Sequence, residues 1–337
     1  MRELVPLPSY VQIEPVGQCN LRCQMCPIQF RQDGPPSGPP AFMPFEAFTR
    51  LVDEFVGLKE LHLQGLGEPM MHPRFFDMVA YAAGRGIVVS TNSNLTLLNT
   101  AERAERCVRS GLDTLHVSID GATAETYERI RVRSSLARVE RNLGLLLAAK
   151  RRLGSERPKL RLVMVVMRQN LDELPEVVRL ARGWGFERVF VQHLCHDFGE
   201  SSLPAHYRPM RAFVEEQTLL NEDPARVKQF FDAARAVAKE LGVDLRLPRT
   251  RPKLHPPGTP GPQRCDWPWR GAYVSYDGYA LPCCMVATPD RINFGRVAEA
   301  GVAAVWNGAD YQAFRAALAS AEPPEVCRSC SVYRGVF

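Results

Sequence analysis

Long hydrophobic runs are missing from this sequence. No apolar stretch approaches the roughly 18 residues that a membrane-spanning helix needs, and the first ten residues contain no apolar core of the kind found in secretory signals. The net charge of +5 is modest for 337 residues, and the arginines are spread along the chain rather than gathered into a basic tail. The sequence therefore predicts a cytoplasmic protein with no membrane partner and no nucleic-acid partner.

Cysteine, by contrast, is plentiful, with ten residues in the chain. In a chain expected to stay in a reducing compartment, this number favours metal sites over disulfides. The apolar content of 45% and the charged content of 23% are ordinary for a globular protein. The length suits one large domain with a smaller one.

Three of the cysteines lie on one short loop with the spacing C-x3-C-x2-C, at Cys19, Cys23 and Cys26. Three thiolates can hold three corners of a 4Fe-4S cluster, which normally takes four cysteine ligands. The missing fourth ligand would leave one iron open to bind another molecule. A zinc site is the alternative, but no histidine that could complete it lies within 35 residues of Cys26.

Short β-rich runs alternate with helical patterns through the first 195 residues. The β-rich runs are 10–16, 60–66, 87–92, 114–120, 159–167 and 188–194, and the helical patterns are 44–55, 75–84, 100–110, 136–153 and 171–185. This alternation predicts an α/β fold with a parallel sheet and helices outside it. Six strands are too few for a closed eight-stranded barrel. Reactive groups are expected at the carboxyl ends of the strands, and Cys19 follows the first strand by three residues.

Polar groups with binding chemistry follow the second, third and fourth predicted strands. After the second comes Gly65-Leu66-Gly67-Glu68-Pro69, in which glycine permits close backbone approach and the carboxylate can accept from an ammonium group. Asn92 ends the third strand, and Ser118 and Asp120 end the fourth. Arg131, shortly afterwards, offers a forked donor for a carboxylate. An ordinary turn at 65–69 and a helix cap at Asp120 remain the alternatives.

The end of the sixth predicted strand carries His193, Cys195, His196 and Asp197. One of His193, His196 and Asp197 could act as a general base, and Cys195 could donate a hydrogen atom. The alternatives are hydrogen-bonded structural histidines and a small buried cysteine.

The cysteine loop closely resembles that of the radical S-adenosylmethionine (SAM) enzymes, including Asn20-Leu21 after the first cysteine and Pro27 after the third. The resemblance implies a partial (β/α)6 TIM-type barrel. It also implies a cluster on Cys19, Cys23 and Cys26 whose open iron binds SAM. Reductive cleavage of SAM would give a 5′-deoxyadenosyl radical, with an electron from a reductant such as flavodoxin or ferredoxin. The SAM contacts implied by the family's motifs are Met25, Gly67, Glu68, Asn92, Ser118, Asp120 and Arg131.

A second cysteine set lies in the tail. Cys265, Gly278 and Cys283 are spaced as in the opening C-x(9–15)-G-x4-C signature of the SPASM domain, an auxiliary-cluster extension of radical SAM enzymes. The tail is short and is similar to the "twitch" form with one auxiliary cluster. The implied ligands of this second 4Fe-4S cluster are Cys265, Cys283, Cys327 and Cys330. Cys284 is the spare cysteine, and a four-cysteine zinc site is the alternative.

These features predict a core barrel over residues 1–197, a helical linker region over 198–262 and an auxiliary-cluster domain over 263–337. A fully ligated second cluster favours an oxidoreductase in which that cluster accepts an electron from a small substrate such as a sugar, a cyclitol or a natural product. Residues 1–8 are also too few for a peptide-recognition module. The alternatives are a peptide-modifying enzyme that crosslinks or epimerises, a redox-neutral epimerase using Cys195, and a non-enzymatic zinc-binding interaction protein.

Overall fold

The structure is a computed structural model that describes residues 4–32, 41–194, 198–251, 265–286 and 288–336. The described residues form nine strands: β1 (Tyr10–Ile13), β2 (Glu60–Leu63), β3 (Val88–Ser93), β4 (Thr114–Ser118), β5 (Lys159–Val165), β6 (Arg188–Gln192), β7 (Asp244–Arg246), β8 (Gly271–Val274) and β9 (Ala280–Leu281). All nine belong to one sheet in the order β7-β6-β5-β4-β3-β2-β1-β8-β9.

Helices surround this sheet and connect its strands. The α-helices are α1 (Phe45–Glu54), α2 (Phe75–Ala83), α3 (Ala101–Arg109), α4 (Ala124–Ile130), α5 (Leu136–Leu153), α6 (Leu174–Gly183), α7 (Arg208–Gln217), α8 (Pro224–Leu241), α9 (Trp267–Arg270), α10 (Val297–Ala300), α11 (Val302–Trp306), α12 (Ala309–Ala319) and α13 (Glu325–Arg328). Short 3-10 helices occupy Pro27–Phe30, Pro69–Met71, Arg168–Asn170, Ala205–Tyr207 and Leu219–Asn221. None of the described helices is both long and apolar enough to cross a membrane.

The strands divide their side chains between the two faces of the sheet because successive residues of a strand point in opposite directions. In β4, Leu115 and Val117 are fully buried in the main apolar core, whereas His116 between them lines the inside of the curved sheet. Val11 and Ile13 of β1 are likewise buried in that core. The outward residues therefore build the hydrophobic core with the helices, and the inward residues face a central space.

The expected α/β alternation with a parallel sheet is confirmed. All six strands predicted from the sequence are present, each beginning within one residue of the predicted start, and β1 to β6 pair in parallel. The observed strands are shorter, except β3, because the polar residues that follow most of them are already in loops. Helix α4 was not predicted, since its seven residues are too few to show helical periodicity clearly.

The alternation continues beyond the six predicted strands. Strand β7 pairs in parallel with β6, with Arg188 opposite Asp244, and α8 before it packs on α6. A strand of three residues is too short to show a period of two in the sequence. The sheet therefore gains a seventh parallel strand within the region for which the sequence predicted helices and a linker.

The tail is joined directly to the barrel sheet. Strand β8 pairs in parallel with β1, from Tyr10 opposite Gly271 to Ile13 opposite Val274. Strand β9 pairs antiparallel with β8, and the turn between them contains Gly278 with a φ of +88°. The hairpin turn predicted at Asp277-Gly278 is therefore confirmed, since a positive φ of this size favours glycine.

A buried ion pair lies where the barrel, the cysteine loop and the tail meet. Glu14 follows β1 and Arg31 follows the cysteine loop, and the Oε1 atom of Glu14 lies 2.6 Å from Nη1 of Arg31, with neither side chain exposed. Glu14 also accepts from the backbone N–H of Leu66 at 3.0 Å and from that of Tyr276 at 3.3 Å. The guanidinium of Arg31 lies 4.9 Å from the ring centre of Tyr276. One carboxylate thus connects segments that are far apart in the sequence.

Replacing Glu14 by Gln should destabilise the protein strongly. Arg31 would keep its charge in a buried site after losing the carboxylate of Glu14, and breaking a buried pair in this way costs about 3–5 kcal/mol. Urea denaturation of the anaerobic protein measures the loss. Asp77→Asn is the matched control because Asp77 pairs with Arg74 at the surface, and little change is expected there. Equal losses in the free energy of unfolding for the two substitutions would contradict the claim that the buried pair stabilises the fold.

Candidate active site

The cysteine loop is held in place by backbone and side-chain hydrogen bonds. The N–H groups of Arg22 and Gln24 donate to the carbonyls of Val132 and Ile130, each at 3.0 Å, so that the loop lies against the end of α4. The guanidinium of Arg22 donates to the carbonyl of Cys19 at 2.7 Å. These contacts fix the backbone between the first and third cysteines.

Cys23 is buried, Cys19 and Cys26 are half-buried, and the three thiols lie close enough to affect one another's pKa. Burial, followed by the neighbouring Cys23, raises the pKa of Cys26 to about 12. Burial also raises the pKa of Cys19 and of Cys23. Thiolates are the form that binds metal, so a bound metal cluster would offset the cost of deprotonating these crowded thiols, with their protons released to solvent. The environment of the three thiols therefore fits an iron-sulfur cluster.

A cavity of about 180 Å³, which we call the cluster cavity, lies beside these thiols. Its wall contains the three cysteines of the loop and six of the seven residues predicted to contact SAM. These residues are Cys19, Cys23, Cys26, Met25, Gly67, Glu68, Asn92, Ser118 and Arg131. The carboxyl ends of neighbouring parallel strands thus bring the predicted residues together.

Asp120 is the predicted SAM contact that does not line the cluster cavity. It is fully buried, with Oδ2 accepting from Nε of Arg131 at 2.6 Å and Oδ1 accepting from the N–H of Val165 at 2.8 Å. Its structural role is to hold the guanidinium of Arg131 at the wall of the cavity. The interpretation of Asp120 as a helix cap is wrong, because the cap of α4 is Thr123, whose hydroxyl accepts from the N–H of Thr126 at 3.2 Å.

The turn after β2 is packed directly against the cysteine loop. A Cβ atom on Gly67 would lie 2.1 Å from the carbonyl oxygen of Val16 and 2.5 Å from that of Gln18, which leaves room for glycine only. The N–H of Glu68 donates to the carbonyl of Gln18 at 3.0 Å. The turn after β2 and the cysteine loop are therefore fixed relative to each other.

The carboxylate of Glu68 is buried at the edge of the cluster cavity. It accepts from the hydroxyl of Ser93 at 2.7 Å and from the N–H of Asn94 at 2.8 Å. Burial raises its pKa, and the hydrogen bonds from Asn94 and Ser93 oppose that shift. The carboxylate is thus oriented by the end of β3.

Asn94 belongs to the site and was not selected by the sequence analysis. Its side-chain amide donates to the Oδ1 atom of Asn20 at 3.0 Å and lies 3.8 Å from the sulfur of Cys19. The amide of Asn20 in turn donates to the hydroxyl of Thr96 at 2.7 Å. The spacing of two between Asn92 and Asn94 at the end of a strand was the signal that could have revealed it.

The candidates at the end of β6 separate into two groups. Cys195, His196 and Asp197 lie outside the described residues. His193 is buried, its Nε2 atom lies 2.7 Å from the carbonyl oxygen of Arg249, and burial lowers its pKa. A carbonyl only accepts, so Nε2 carries the proton. His193 does not line the cluster cavity, and its contact joins β6 to the segment after β7.

A second cavity, of about 550 Å³, lies inside the barrel, and we call it the lumen cavity. Inward side chains of β1 to β6 line it, together with Tyr273, Cys284 and Met285 of the tail. It shares Gln64, Asn92 and other residues with the cluster cavity, so the two spaces meet. Sequence analysis missed this lining, although polar residues at alternate strand positions, as in His62 and Gln64, indicated an inward polar face.

The tail cysteines gather at a second site. Burial raises the pKa of Cys283 well above its usual range, and its neighbours Cys284, Cys330, Cys327 and Cys265 raise it further. In the described ranges no three His, Cys, Asp or Glu side chains are arranged to hold a single metal ion. A 4Fe-4S cluster does not need such a group, because each of its four cysteine ligands binds a different iron. Cys284 differs from its neighbour in lining the lumen cavity.

Comparison with known families agrees with both sites. Residues 13–181 match the radical SAM superfamily, and residues 265–331 match the SPASM iron-sulfur cluster-binding domain. The chain therefore belongs to the radical SAM superfamily, and its tail is a SPASM domain. It is a SAM-dependent enzyme whose core domain binds SAM and a 4Fe-4S cluster and whose tail binds auxiliary iron-sulfur. The alternative of a zinc-binding interaction protein is wrong.

Individual relatives resemble nearly the whole chain. The tungsten-containing aldehyde ferredoxin oxidoreductase cofactor-modifying protein of Pyrococcus furiosus is 25% identical, over 96% of this chain and 87% of that protein. The PqqA peptide cyclase of Granulibacter bethesdensis is 27% identical, over 96% of this chain and 79% of that protein. The crystal structure of Streptococcus suis SuiB bound to S-adenosylmethionine superposes with a TM-score of 0.69 at 14% identity, covering 98% of this chain and 72% of SuiB. The expected radical SAM fold is thereby confirmed.

Gly67→Ala should impair SAM binding. The added methyl group would meet backbone oxygens that cannot rotate away, so the turn must move from the cysteine loop. We expect at least a tenfold loss of SAM affinity, equivalent to about 1.4 kcal/mol, by equilibrium dialysis of the reconstituted protein. Gly144→Ala is the control, because a Cβ there meets nothing within 4 Å in the middle of α5. Unchanged SAM affinity in Gly67→Ala would contradict the inference that the turn after β2 packs closely against the cysteine loop.

Cys283→Ser and Cys284→Ser should differ in iron content. With two 4Fe-4S clusters, the anaerobic wild-type protein is expected to hold about eight irons per chain. Cys283→Ser should lose about four of these irons, whereas Cys284→Ser should keep all of them. Iron and sulfide analysis makes the measurement. If Cys284→Ser lost iron and Cys283→Ser did not, Cys284 rather than Cys283 would be the cluster ligand.

Proposed function

We propose that this protein is a radical SAM enzyme that modifies a peptide, by crosslinking or by epimerisation. The observation that carries the proposal is the similarity to PqqA peptide cyclases over 96–98% of this chain. The fold is also that of SuiB, which has been crystallised with its precursor peptide SuiA. The dehydrogenation of a small sugar or cyclitol, expected from the sequence, has weaker support from these relatives.

The proposed ligands of the SAM-binding cluster are Cys19, Cys23 and Cys26. Once bound, the cluster and SAM together supply a 5′-deoxyadenosyl radical that takes a hydrogen atom from the substrate. Arg131 offers a guanidinium at the wall of the cluster cavity, where a carboxylate of SAM would be an acceptor. Asp120 keeps that guanidinium in place. Glu68, in the wall of the same cavity, is a candidate acceptor for the amine of SAM.

The lumen cavity supplies the path for a substrate side chain. Its residues at the amino-terminal ends of the strands include Glu60, which is exposed, and Val88, which is 49% exposed, so the cavity reaches the surface. At the other end it meets the cluster cavity around Gln64 and Asn92. A substrate segment that enters from the surface can therefore approach the region where the radical is made.

The auxiliary site forms one wall of this path. Cys265, Cys283, Cys327 and Cys330 are its proposed ligands, so that each corner of a cube has a protein thiolate. Met285 and Cys284, adjacent in sequence to Cys283, line the lumen cavity. A cluster held by these thiolates would lie beside the proposed substrate path, and the substrate would not need to bind its iron.

Turnover assays with two substrate panels test the proposal. The reconstituted protein, SAM and a reductant are incubated either with a randomised peptide library or with sugars and aminocyclitols. We expect 5′-deoxyadenosine formation to rise with peptides, accompanied by loss of two hydrogen atoms for a crosslink or by deuterium uptake for an epimerisation, both read by mass spectrometry. Turnover of small molecules alone would contradict the proposal. A variant with Cys19, Cys23 and Cys26 changed to Ala controls for SAM breakdown without the cluster.

A further inference from the structure

The interior of this barrel holds an open space with several polar side chains in its wall, in contrast to an ordinary TIM-type barrel. Such interiors are usually filled by layers of bulky branched side chains. Here the inward residues include His62, Ser90, His116 and Arg161, and a space of about 550 Å³ remains between them. This volume falls in the range of about 300–1,000 Å³ that is typical of ligand pockets. The lumen cavity therefore has the size of a ligand pocket and carries polar side chains in its wall.

One of the two inward histidines has an unused acceptor. The Nδ1 atom of His116 lies 2.8 Å from Oδ1 of Asn92, and an amide oxygen only accepts, so Nδ1 carries the proton. The lone pair is then on Nε2, which is buried without a hydrogen-bond partner among the described residues. Burial, then His62 and Arg161, lower the pKa of His116 to about 3. His116 is thus a neutral acceptor, whereas both nitrogens of His62 have partners, Ser90 and Gln64.

Arg161 is the complementary feature on the next strand. It is the direct cross-strand partner of His116 and lines the lumen cavity. Within the described ranges it forms no ion pair or hydrogen bond, whereas Arg188, opposite it on β6, pairs with Asp244 at 2.5 Å. An unpaired guanidinium in a partly enclosed space is a site for an anionic oxygen, since it can donate two parallel hydrogen bonds to a carboxylate.

The acidic residues of the lumen lining do not neutralise Arg161. Asp113 lies within 3.3 Å of Arg157 and 4.0 Å of Lys159 at the outer end of the strands. Glu60 is exposed at the mouth, on β2. Among the described residues, Arg161 and, at the mouth, Glu60 are thus the charged groups of the lining that have no ion pair.

We propose that the lumen cavity binds an acidic residue of the substrate peptide, with its carboxylate on Arg161 and a backbone N–H donating to Nε2 of His116. The proposal rests on the peptide-modifying function proposed above and specifies its substrate class. Because the lumen cavity meets the cluster cavity, an acidic residue held there is the modified residue or its immediate neighbour. Arg161 thereby acts as a specificity-determining residue.

Binding of a minimal probe tests this assignment without turnover. The full-length protein, reconstituted with its clusters and SAM but without reductant, is titrated with N-acetylglutamate amide and with the neutral, equally large N-acetylglutamine amide. Ligand-observed NMR gives both dissociation constants. We expect the glutamate probe to bind at least tenfold more tightly, a difference of about 1.4 kcal/mol. Arg161→Gln should abolish this preference, Arg161→Lys should retain part of it, and Arg188→Gln should leave it unchanged.

Equal binding of the two probes to the wild-type protein would overturn the inference, as would an undiminished preference in Arg161→Gln. Circular dichroism and iron content show whether each variant is folded and loaded. The outcome is separable from that of the turnover assay. Modification of peptides without any preference for acidic residues would remove this inference alone. Turnover of small molecules alone would remove the peptide function, and the probe titration would then decide separately whether Arg161 binds a carboxylate.

Discussion

The buried pair of Glu14 and Arg31 is the interaction on which the arrangement of the site depends. It joins the end of the first strand to the segment after the cysteine loop, and its carboxylate also holds the turn after β2 and the tail hairpin at Leu66 and Tyr276. A buried charge is tolerated only when its partner and its hydrogen bonds are in place. The pair therefore specifies one relative position for the cysteine loop, the turn after β2 and the auxiliary domain.

Because side chains alternate along each strand, one set of residues stabilises the core and the other set lines the cavities. Leu115 and Val117 of β4 face the helices and contribute to the core, while His116 and Ser118 of the same strand face the lumen cavity and the cluster cavity. The same division holds along the parallel sheet, because its strands are in register. Polar side chains can therefore line an interior space without loss of the hydrophobic core, and that space extends from the surface to the cluster cavity.

Sequence patterns predict the parts of this molecule that depend on local periodicity and on chain order. The six strands and the meeting of Cys19, Glu68 and Ser118 follow from the rule that parallel strands place their carboxyl ends together. The Glu14–Arg31 pair could not be predicted, because no periodic pattern connects a carboxylate and a guanidinium 17 residues apart. The binding role of Arg161 was also hidden, since its inward direction follows from strand period but the empty space beside it depends on packing.

Electron paramagnetic resonance of the reduced protein tests most directly whether an open cluster and a closed cluster share this fold. We expect two cluster signals, of which SAM alters one. A variant with Cys19, Cys23 and Cys26 replaced by Ala should keep a single signal that SAM leaves unchanged, because four tail thiolates, as proposed, would occupy every iron of the second cluster. A SAM-sensitive signal in that variant would place the SAM site in the tail and contradict the division between the two cysteine sets.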